Sequence, residues 1–306
     1  MKYPMNTSLY NLLLDQLAAK LNLLPDKPEE TPKTTLIALW CTAAGNPLSA
    51  ERAAEILLDD LDSRQEKILR QLVAKRVSGV PLAHLTGRQC FMNVELLVGT
   101  EALIPRKETE ILGRAAVDLL NQMRMEGKDS LRILDVCTGV GNLAVAMALH
   151  CPTCRIYASD LSEDAVSLAR KNVAFHGLTD RVEICTGDLF APFDPDQFYQ
   201  SIDLLLCNPP YISTNRVNNM DREIAAHEPA LAFDGGVFGI RILHRLIKEA
   251  LPYLKPGGWL AFEVGAGQGE KLVRRLETKY GYSPVTTVTD EAGTVRAILA
   301  RNGREK

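Results

Sequence analysis

The chain has 306 residues, of which 46% are hydrophobic and 24% are charged. That length suits one large domain or two modest ones, and the apolar fraction is sufficient for buried cores, which argues against a disordered chain. The 35 basic and 38 acidic residues give a formal net charge of −3. No global positive field therefore draws the protein onto a polyphosphate.

The sequence contains no apolar run long enough to cross a bilayer, and its start, Met1 to Pro4, lacks the charged-then-apolar layout of a signal peptide. Seven scattered cysteines, an odd number, do not resemble a disulfide framework. We therefore expect a cytoplasmic protein with reduced thiols and no membrane contact. Cys151 and Cys154 have C-x-x-C spacing, but no second pair completes a zinc site, so we expect a loop here and no metal.

The first quarter of the chain has a helical pattern. Apolar residues recur at helical spacing from Ser8 to about Leu82, which predicts a helical bundle. A loop from Pro25 to Pro32 separates the first helix from the next. Ser63 and Glu66 have the spacing of a capping box and predict the start of a later helix there.

Two extended pieces split at Asn93 lie between Cys90 and Val98 and predict a β-hairpin. The hairpin separates the helical pattern before it from the alternating pattern of strands and helices after it. We place a helical domain at residues 1–87, a hairpin linker at residues 88–105 and an α/β domain at residues 106–306.

Strands and helices alternate after a helix that begins near Glu108. Strands are predicted at residues 131–136, 155–159, 182–185, 202–207 and 259–264, followed by two terminal strand candidates. Helices are predicted between the first three strands at residues 142–150 and 163–175. Strands separated by helices imply parallel pairing, with ligands at the carboxyl ends of the strands. The expected fold is a mostly parallel α/β sheet of seven strands, of the Rossmann-like type.

A glycine-containing turn follows the first of these strands. It comprises Asp135, Cys137, Thr138, Gly139, Val140, Gly141 and Asn142. Glycine lets the backbone approach a ligand at the amino terminus of the next helix. The second strand ends at Asp160 and Leu161, where the Asp160 carboxylate can accept hydrogen bonds from both hydroxyls of a ribose. These features also suit a dinucleotide, and a glycine turn alone fits an ordinary strand-to-helix connection.

Three points favour S-adenosylmethionine over a nicotinamide dinucleotide. The turn is T-G-x-G and not G-x-G-x-x-G, it lies in mid-chain after a helix, and another acid follows the third strand. That acid, Asp188, can accept a hydrogen bond from an adenine amino group, with the Leu189 backbone beside it. The alternative is an aspartate that caps a short helix.

The fourth strand ends in Asn208, Pro209, Pro210 and Tyr211. The prolines stiffen the turn, so the Pro209 carbonyl and the Asn208 side-chain oxygen can converge on one planar NH₂ group. Tyr211 supplies a flat face for stacking. The alternative is a proline-rich turn after an edge strand. The motif predicts methyl transfer to an amide or aromatic amine, through positioning and dipoles, with no catalytic histidine.

With these motifs the sequence resembles the HemK-type protein-(glutamine-N5) methyltransferases, which modify bacterial release factors and have a sister group acting on a ribosomal protein. The resemblance extends over nearly the whole chain. It is carried by residues 79–87, 103–110, 135–142, 208–212 and 227–229, the last before Gly235 and Gly236. It implies a class I methyltransferase fold, S-adenosylmethionine as methyl donor and a glutamine-bearing release factor or ribosomal protein as acceptor.

The resemblance also implies roles for individual residues. Contacts to the cofactor are implied for Arg106, Glu108, Thr109, Asp135, Cys137, Thr138, Gly139, Val140, Gly141, Asn142, Asp160, Leu161, Asp188, Leu189 and Asn208. Asn208 to Tyr211 would hold the glutamine amide, and His227, Glu228 and Pro229 would form a substrate loop. The helical domain would recognise the protein substrate.

The chain departs from the family pattern mostly outside the chemical motifs. Lys107 stands where proline is usual, Phe238 where aspartate is usual, and Arg88 to Asn93 lacks the usual Glu-Phe and glycine. These departures concern the partner more than the reaction. The alternatives are methylation of adenine N6 or cytosine N4, methylation of a small-molecule amine, and a non-catalytic paralogue that only binds cofactor. Direct nucleic-acid binding is not expected, because no basic run is present.

Overall fold

The computed structural model describes residues 7–24, 26–212, 227–233, 235–236 and 239–303, so Pro25 and Phe238 lie outside the described residues. The chain divides into two compact units. The first comprises residues 1–100, 104–106 and 221–228, and the second comprises residues 101–103, 107–220 and 229–306. The domain boundaries drawn from the sequence stay a prediction.

The first unit contains five helices among its described residues. They are α1 (Thr7–Lys20), α2 (Pro32–Ala43), α3 (Ala50–Ala53), α4 (Ser63–Val77) and α5 (Leu82–Thr86). Leu17, Leu36, Trp40 and Leu69 are almost fully buried in their shared core. The helical pattern predicted from the apolar spacing is therefore confirmed.

Helix α4 begins one residue away from the predicted capping box. Asp62 is the N-cap, its carboxylate accepts the Gln65 backbone N–H at 2.8 Å, and the Gln65 side chain accepts the Asp62 backbone N–H at 2.9 Å. The prediction of Ser63 and Glu66 was wrong, because aspartate and glutamine fill the same reciprocal pattern one position earlier.

Strands β1 (Arg88–Phe91) and β2 (Val94–Leu97) form the predicted antiparallel hairpin. Met92 and Asn93 both have positive φ, at 50° and 63°, as the tightest two-residue hairpin turn requires. Glu95 accepts hydrogen bonds from the Ser49 backbone N–H at 2.7 Å and the Ser49 hydroxyl at 2.6 Å. These bonds attach the hairpin to the start of α3.

The second unit is built on a seven-stranded sheet. Its strands are β3 (Arg132–Val136), β4 (Arg155–Asp160), β5 (Val182–Thr186), β6 (Ile202–Cys207), β7 (Leu254–Glu263), β8 (Tyr282–Thr289) and β9 (Val295–Asn302). Their order is β5-β4-β3-β6-β7-β9-β8, and only the pairings of β9 with β7 and β8 are antiparallel. The mostly parallel Rossmann-like sheet is confirmed.

Helices connect these strands. Those described are α6 (Lys107–Met125), α7 (Asn142–His150), α8 (Glu163–Phe175), α9 (Pro195–Phe198), α10 (Arg241–Ala250) and α11 (Gly269–Arg275). Every residue of β6 is buried. Strand order reverses between β3 and β6, and ligands of open α/β sheets bind beyond the carboxyl ends of the strands at such a point.

The loop between α7 and β4 carries a disulfide bond between Cys151 and Cys154, whose Cα atoms are 5.4 Å apart. Both cysteines are buried. The expectation of reduced thiols was therefore wrong for this pair, because a loop directly after a helix brings the two Cα atoms into disulfide range. The other five cysteines do not form disulfide bonds. None of the helices in the described part of the chain is long and apolar enough to cross a membrane.

Candidate active site

The turn between β3 and α7 has an unusual backbone. Gly139 and Gly141 have φ of 56° and 82°, and Cys137, which is not glycine, has φ of 60°. A Cβ added to Gly141 would lie 3.2 Å from the Ala169 side chain. Non-glycine residues in this region of φ are strained and are concentrated at functional sites. The turn therefore has a backbone conformation that glycine favours, directly before the amino end of α7.

Asp160, at the end of β4, holds this turn in place. Its Oδ2 accepts the Gly139 backbone N–H at 2.8 Å, and its Oδ1 accepts the Ser162 backbone N–H at 3.0 Å. Burial raises the pKa of Asp160, and these backbone bonds oppose the rise. Each carboxylate oxygen has a second lone pair, so Asp160 can still accept hydrogen bonds from a ligand hydroxyl.

Asp135 is fully buried beneath the same turn. The Thr138 hydroxyl donates to its Oδ2 at 2.6 Å. Burial raises the pKa of Asp135 to about 7, although the Thr138 bond lowers it. A cation bound nearby would favour the carboxylate form of such a group.

The end of β5 places Leu189 in the left-handed region, with φ of 51°. The Ser159 hydroxyl donates to the Leu189 carbonyl at 2.6 Å and fixes this conformation. The Asp188 carboxylate receives two hydrogen bonds from Arg245, at 2.8 and 3.1 Å. An adenine contact for Asp188 stays a prediction, and the arginine is a competing partner. Leu161 is 54% exposed.

Asn208 directly follows β6, and its side-chain NH₂ group donates to the Thr109 hydroxyl at 3.0 Å. Thr109 lies in the first turn of α6 and is buried. Because an asparagine amide has one NH₂ group and one carbonyl oxygen, this bond leaves the oxygen to accept hydrogen bonds from a ligand.

The turn after Asn208 is packed against Phe233, Gly235 and Gly239. The Gly235 backbone N–H donates to the Ile212 carbonyl at 2.8 Å. A Cβ at Gly235 would lie 2.6 Å from the Pro210 carbonyl oxygen, and a Cβ at Gly239 would collide with the Tyr211 carbonyl. Glycine is therefore required at both positions, because the backbone of the proline turn passes so close.

Glu263, at the end of β7, is a site residue that the sequence reasoning missed. The Tyr211 hydroxyl donates to its Oε1 at 2.7 Å. Burial raises the pKa of Glu263 to about 7, while the hydroxyl groups of Thr109 and Tyr211 lower it. The sequence signal that could have identified Glu263 is a glutamate at the end of an apolar strand, because the carboxyl ends of the strands carry the other site residues.

Three predicted site residues, Arg106, His227 and Glu228, belong to the first unit. Arg106 forms a buried ion pair with Glu228, and the Ile104 backbone N–H donates to the other Glu228 oxygen at 2.9 Å. The Glu228 side chain has no exposed surface. Both oxygens of the Glu228 carboxylate are therefore used by Arg106 and Ile104. The contacts of Arg106 with cofactor and of Glu228 with substrate stay predictions. His227 and Pro229 are partly exposed.

In the second unit, Glu108 pairs with Arg296 at 3.2 Å, and Arg296 also pairs with Asp290 at 2.8 Å. The first turn of α6 thus directs Glu108 and Thr109 to different partners. The second unit brings together the glycine turn, Asp160 and the proline turn at one edge of the sheet. This arrangement combines a nucleoside-type site with acceptors for an NH₂ group.

Comparison with known proteins places these features in a family. The family model described as the methyltransferase small domain matches residues 110–240. A release factor glutamine methyltransferase of Gloeobacter violaceus is 34% identical over 78% of this chain and 80% of its own length. Another, from Thermodesulfovibrio yellowstonii, is 32% identical over 80% of this chain and 85% of its own length.

A solved structure shares the fold. The crystal structure of the N-terminal domain of human METTL16 aligns with a TM-score of 0.52 and 13% identity, covering 94% of this chain and 99% of that one. At this low identity the likeness concerns the fold alone.

Proposed function

The chain belongs to the release factor glutamine methyltransferase family, and from this premise we propose that it transfers the methyl group of S-adenosylmethionine to the side-chain amide nitrogen of a glutamine in a protein. The proposed acceptor is a peptide chain release factor. The observation that carries the proposal is the Asn208 to Thr109 hydrogen bond. It directs an amide oxygen, and not an amide NH₂ group, to the acceptor.

S-adenosylmethionine supplies a methyl group already activated on a sulfonium sulfur. The residues present fit such a ligand. Asp160 has lone pairs for the ribose hydroxyls, and the backbone of the turn at Gly139 is open to close approach. The buried Asp135 carboxyl gains charge stabilisation when a cation binds beside it.

The acceptor nitrogen presents the chemical difficulty, because the lone pair of an amide nitrogen is delocalised. We assign the Asn208 side-chain oxygen and the Pro209 carbonyl as acceptors for its two N–H groups. Holding both N–H groups raises the electron density on nitrogen, and the Tyr211 ring supports the amide plane. In-line placement and fixed dipoles then supply most of the rate.

Mass spectrometry tests this function directly. Full-length protein is incubated with isotopically labelled S-adenosylmethionine and a purified release factor, and the labelled residue is mapped. We expect one labelled glutamine, and far less label in the same time with Asn208→Ala. Label on a nucleic acid or a small amine, with none on protein glutamine, would assign the chain to one of the alternative methyltransferase classes. Cofactor binding without any transfer would indicate a non-catalytic paralogue.

We assign recognition of the protein acceptor to the helical region at residues 1–87. This region has its own buried core, and the motifs for methyl transfer lie elsewhere in the sequence. A protein beginning near Glu101 is expected to bind S-adenosylhomocysteine and to methylate the intact acceptor poorly. Full activity of the shortened protein on the intact acceptor would remove this assignment.

A further inference from the structure

Glu263 lies beside two members of the proline turn. Its Oε1 accepts the Tyr211 hydroxyl at 2.7 Å. The Thr109 hydroxyl also lowers the pKa of this carboxylate. Its second oxygen, Oε2, is buried and has no hydrogen-bond partner among the described residues. The Thr109 hydroxyl oxygen in turn accepts a hydrogen bond from the Asn208 NH₂ group at 3.0 Å.

The direction of these hydrogen bonds follows from donor counting. A carboxylate only accepts, and a threonine hydroxyl has one proton to give. When Thr109 donates that proton to Glu263, its oxygen is left as an acceptor. Asn208 must then turn its NH₂ group toward Thr109 and its carbonyl oxygen the other way. In the opposite orientation Asn208 would present N–H donors to an acceptor NH₂ group, and the two would repel.

We propose that Glu263 is a positioning residue for methyl transfer. Through Thr109 it fixes the orientation of the Asn208 amide, and through the Tyr211 hydroxyl it fixes the ring that supports the acceptor. The inference rests on the proposed function, because the orientation of Asn208 matters to an acceptor that carries an NH₂ group. Glu263 acts only through Thr109 and Tyr211 in this scheme.

The burial of Glu263 supports a specific role. The side chain is 2% exposed, and a buried carboxylate oxygen without a close partner is expensive for folding. The charged neighbours oppose each other, because Glu108 raises the pKa of Glu263 and Arg296 lowers it. An apolar residue at the end of β7 would cost less folding free energy, but it would not hold the Thr109 hydroxyl in one orientation.

Four variants of the full-length protein test the network. Thr109→Val removes the hydroxyl and keeps the shape, whereas Thr109→Ser keeps the hydroxyl. Glu263→Gln replaces an oxygen acceptor by an NH₂ donor. Asp203→Asn is the matched control, since Asp203 is also a buried carboxylate in the sheet but lies at the opposite end of β6, bound to Lys255 at 2.7 Å.

The expected pattern separates positioning from folding. For Thr109→Val and Glu263→Gln we expect kcat to fall about tenfold or more, with the acceptor KM and the Kd for S-adenosylhomocysteine changed less than about threefold. Thr109→Ser keeps the hydroxyl and should lose much less of kcat than Thr109→Val, whereas Asp203→Asn should keep kcat within about threefold of wild type. The double variant of Thr109→Val and Glu263→Gln should lose less than the product of the single losses, since both act through Asn208.

Wild-type kcat in Glu263→Gln, or equal losses in Thr109→Ser and Thr109→Val, would overturn the inference. A second measurement does not need the protein substrate that accepts the methyl group. The side-chain NH₂ resonances of Asn208, assigned by NMR, should shift in Thr109→Val and Glu263→Gln but not in Thr109→Ser or Asp203→Asn. Unchanged resonances would also overturn it. Absence of glutamine methylation by wild-type protein would instead contradict the proposed function, and the resonances would still decide the network.

Discussion

The Asn208 side-chain NH₂ group donates to the Thr109 hydroxyl at 3.0 Å, and this bond leaves the amide oxygen available to the proposed acceptor. Thr109 is the third residue of α6, which precedes the sheet in the chain, whereas Asn208 follows the fourth strand of the sheet. The orientation of the Asn208 side chain therefore depends on a helix about a hundred positions away. In the proposed network the same hydroxyl connects Asn208 to Glu263, so the ionisation of Glu263 should affect turnover.

We predict that kcat falls as the pH is lowered through about 7, because burial raises the pKa of Glu263 to about 7. Above that pH the carboxylate accepts hydrogen bonds from Thr109 and Tyr211. Below that pH the protonated carboxyl has an O–H donor of its own, at a place to which the hydroxyls of Thr109 and Tyr211 would already donate. Rates are measured at saturating cofactor, so that changes in cofactor affinity do not contribute.

In Glu263→Gln the acidic limb of this pH profile should be absent, because glutamine does not titrate. Asp203→Asn should retain the limb. Glu108 and Arg296 are the charged groups that act on Glu263, and neither change alters them. An unchanged acidic limb in Glu263→Gln would assign the titration to another group.

Asp135→Asn should stabilise the folded protein at pH 8. Burial raises the folded-state pKa of Asp135 to about 7, so the folded protein binds this proton more tightly than the unfolded chain. The free energy of unfolding therefore increases as the pH falls from about 7 toward 4. Above pH 7 Asp135 is charged in the folded protein, and its burial destabilises the fold by the full amount. We expect a gain of about 1–3 kcal/mol at pH 8 and little change at pH 4.

The same change should weaken binding of the cationic cofactor, because a neutral amide replaces a carboxylate. Urea titrations at the two pH values, paired with calorimetry for S-adenosylmethionine, measure both effects. Destabilisation of Asp135→Asn at pH 8 would show that the carboxylate is favourable for folding.

Asp160→Ala should weaken binding of S-adenosylhomocysteine by about 2–4 kcal/mol, because the ribose loses charge-assisted hydrogen bonds. The structure adds a second cause, since the Asp160 carboxylate also holds the backbone N–H of Gly139. Asp160→Asn keeps one oxygen and should lose less. Calorimetry on both folded variants measures the difference, and unchanged affinity in Asp160→Ala would remove the residue from the site.

Glu228→Ala should destabilise the protein by about 3–5 kcal/mol, because it leaves the Arg106 charge buried without its partner. The exposed pair of Glu126 with Lys128 supplies the control. Glu126→Ala should cost less than about 1 kcal/mol. Chemical denaturation compares the two variants. Wild-type stability in Glu228→Ala would show that the carboxylate is available for substrate and is not needed for the fold.

Local patterns predicted the central elements accurately. Helices α7 and α8 and strand β6 have the predicted bounds, since each is an apolar segment between clear end signals. Ser162, for example, caps α8 by accepting the Ala165 backbone N–H at 3.2 Å. The proline turn was recognisable because its four residues are consecutive.

The missed features depend on contacts that sequence spacing does not encode. Glu263 became informative only when β7 paired with β6 and brought its carboxylate to Tyr211. Glu228 is far from Arg106 in sequence, and only the folded first unit shows their ion pair. The cap of α4 was misplaced by one residue because adjacent polar residues offer equivalent capping patterns, and side-chain geometry decides between them.

Single-turnover methyl transfer by Asn208→Ala tests the central claim most directly. The variant removes the oxygen that accepts a hydrogen bond from the reacting NH₂ group. If that bond strengthens as charge develops on nitrogen, the rate should fall on the order of a hundredfold or more, with modest changes in cofactor affinity. Asn208→Asp keeps an acceptor oxygen and should retain more activity than alanine. Methyl transfer by Asn208→Ala at nearly the wild-type rate would contradict the amide-holding mechanism and leave the proline turn with a structural role only.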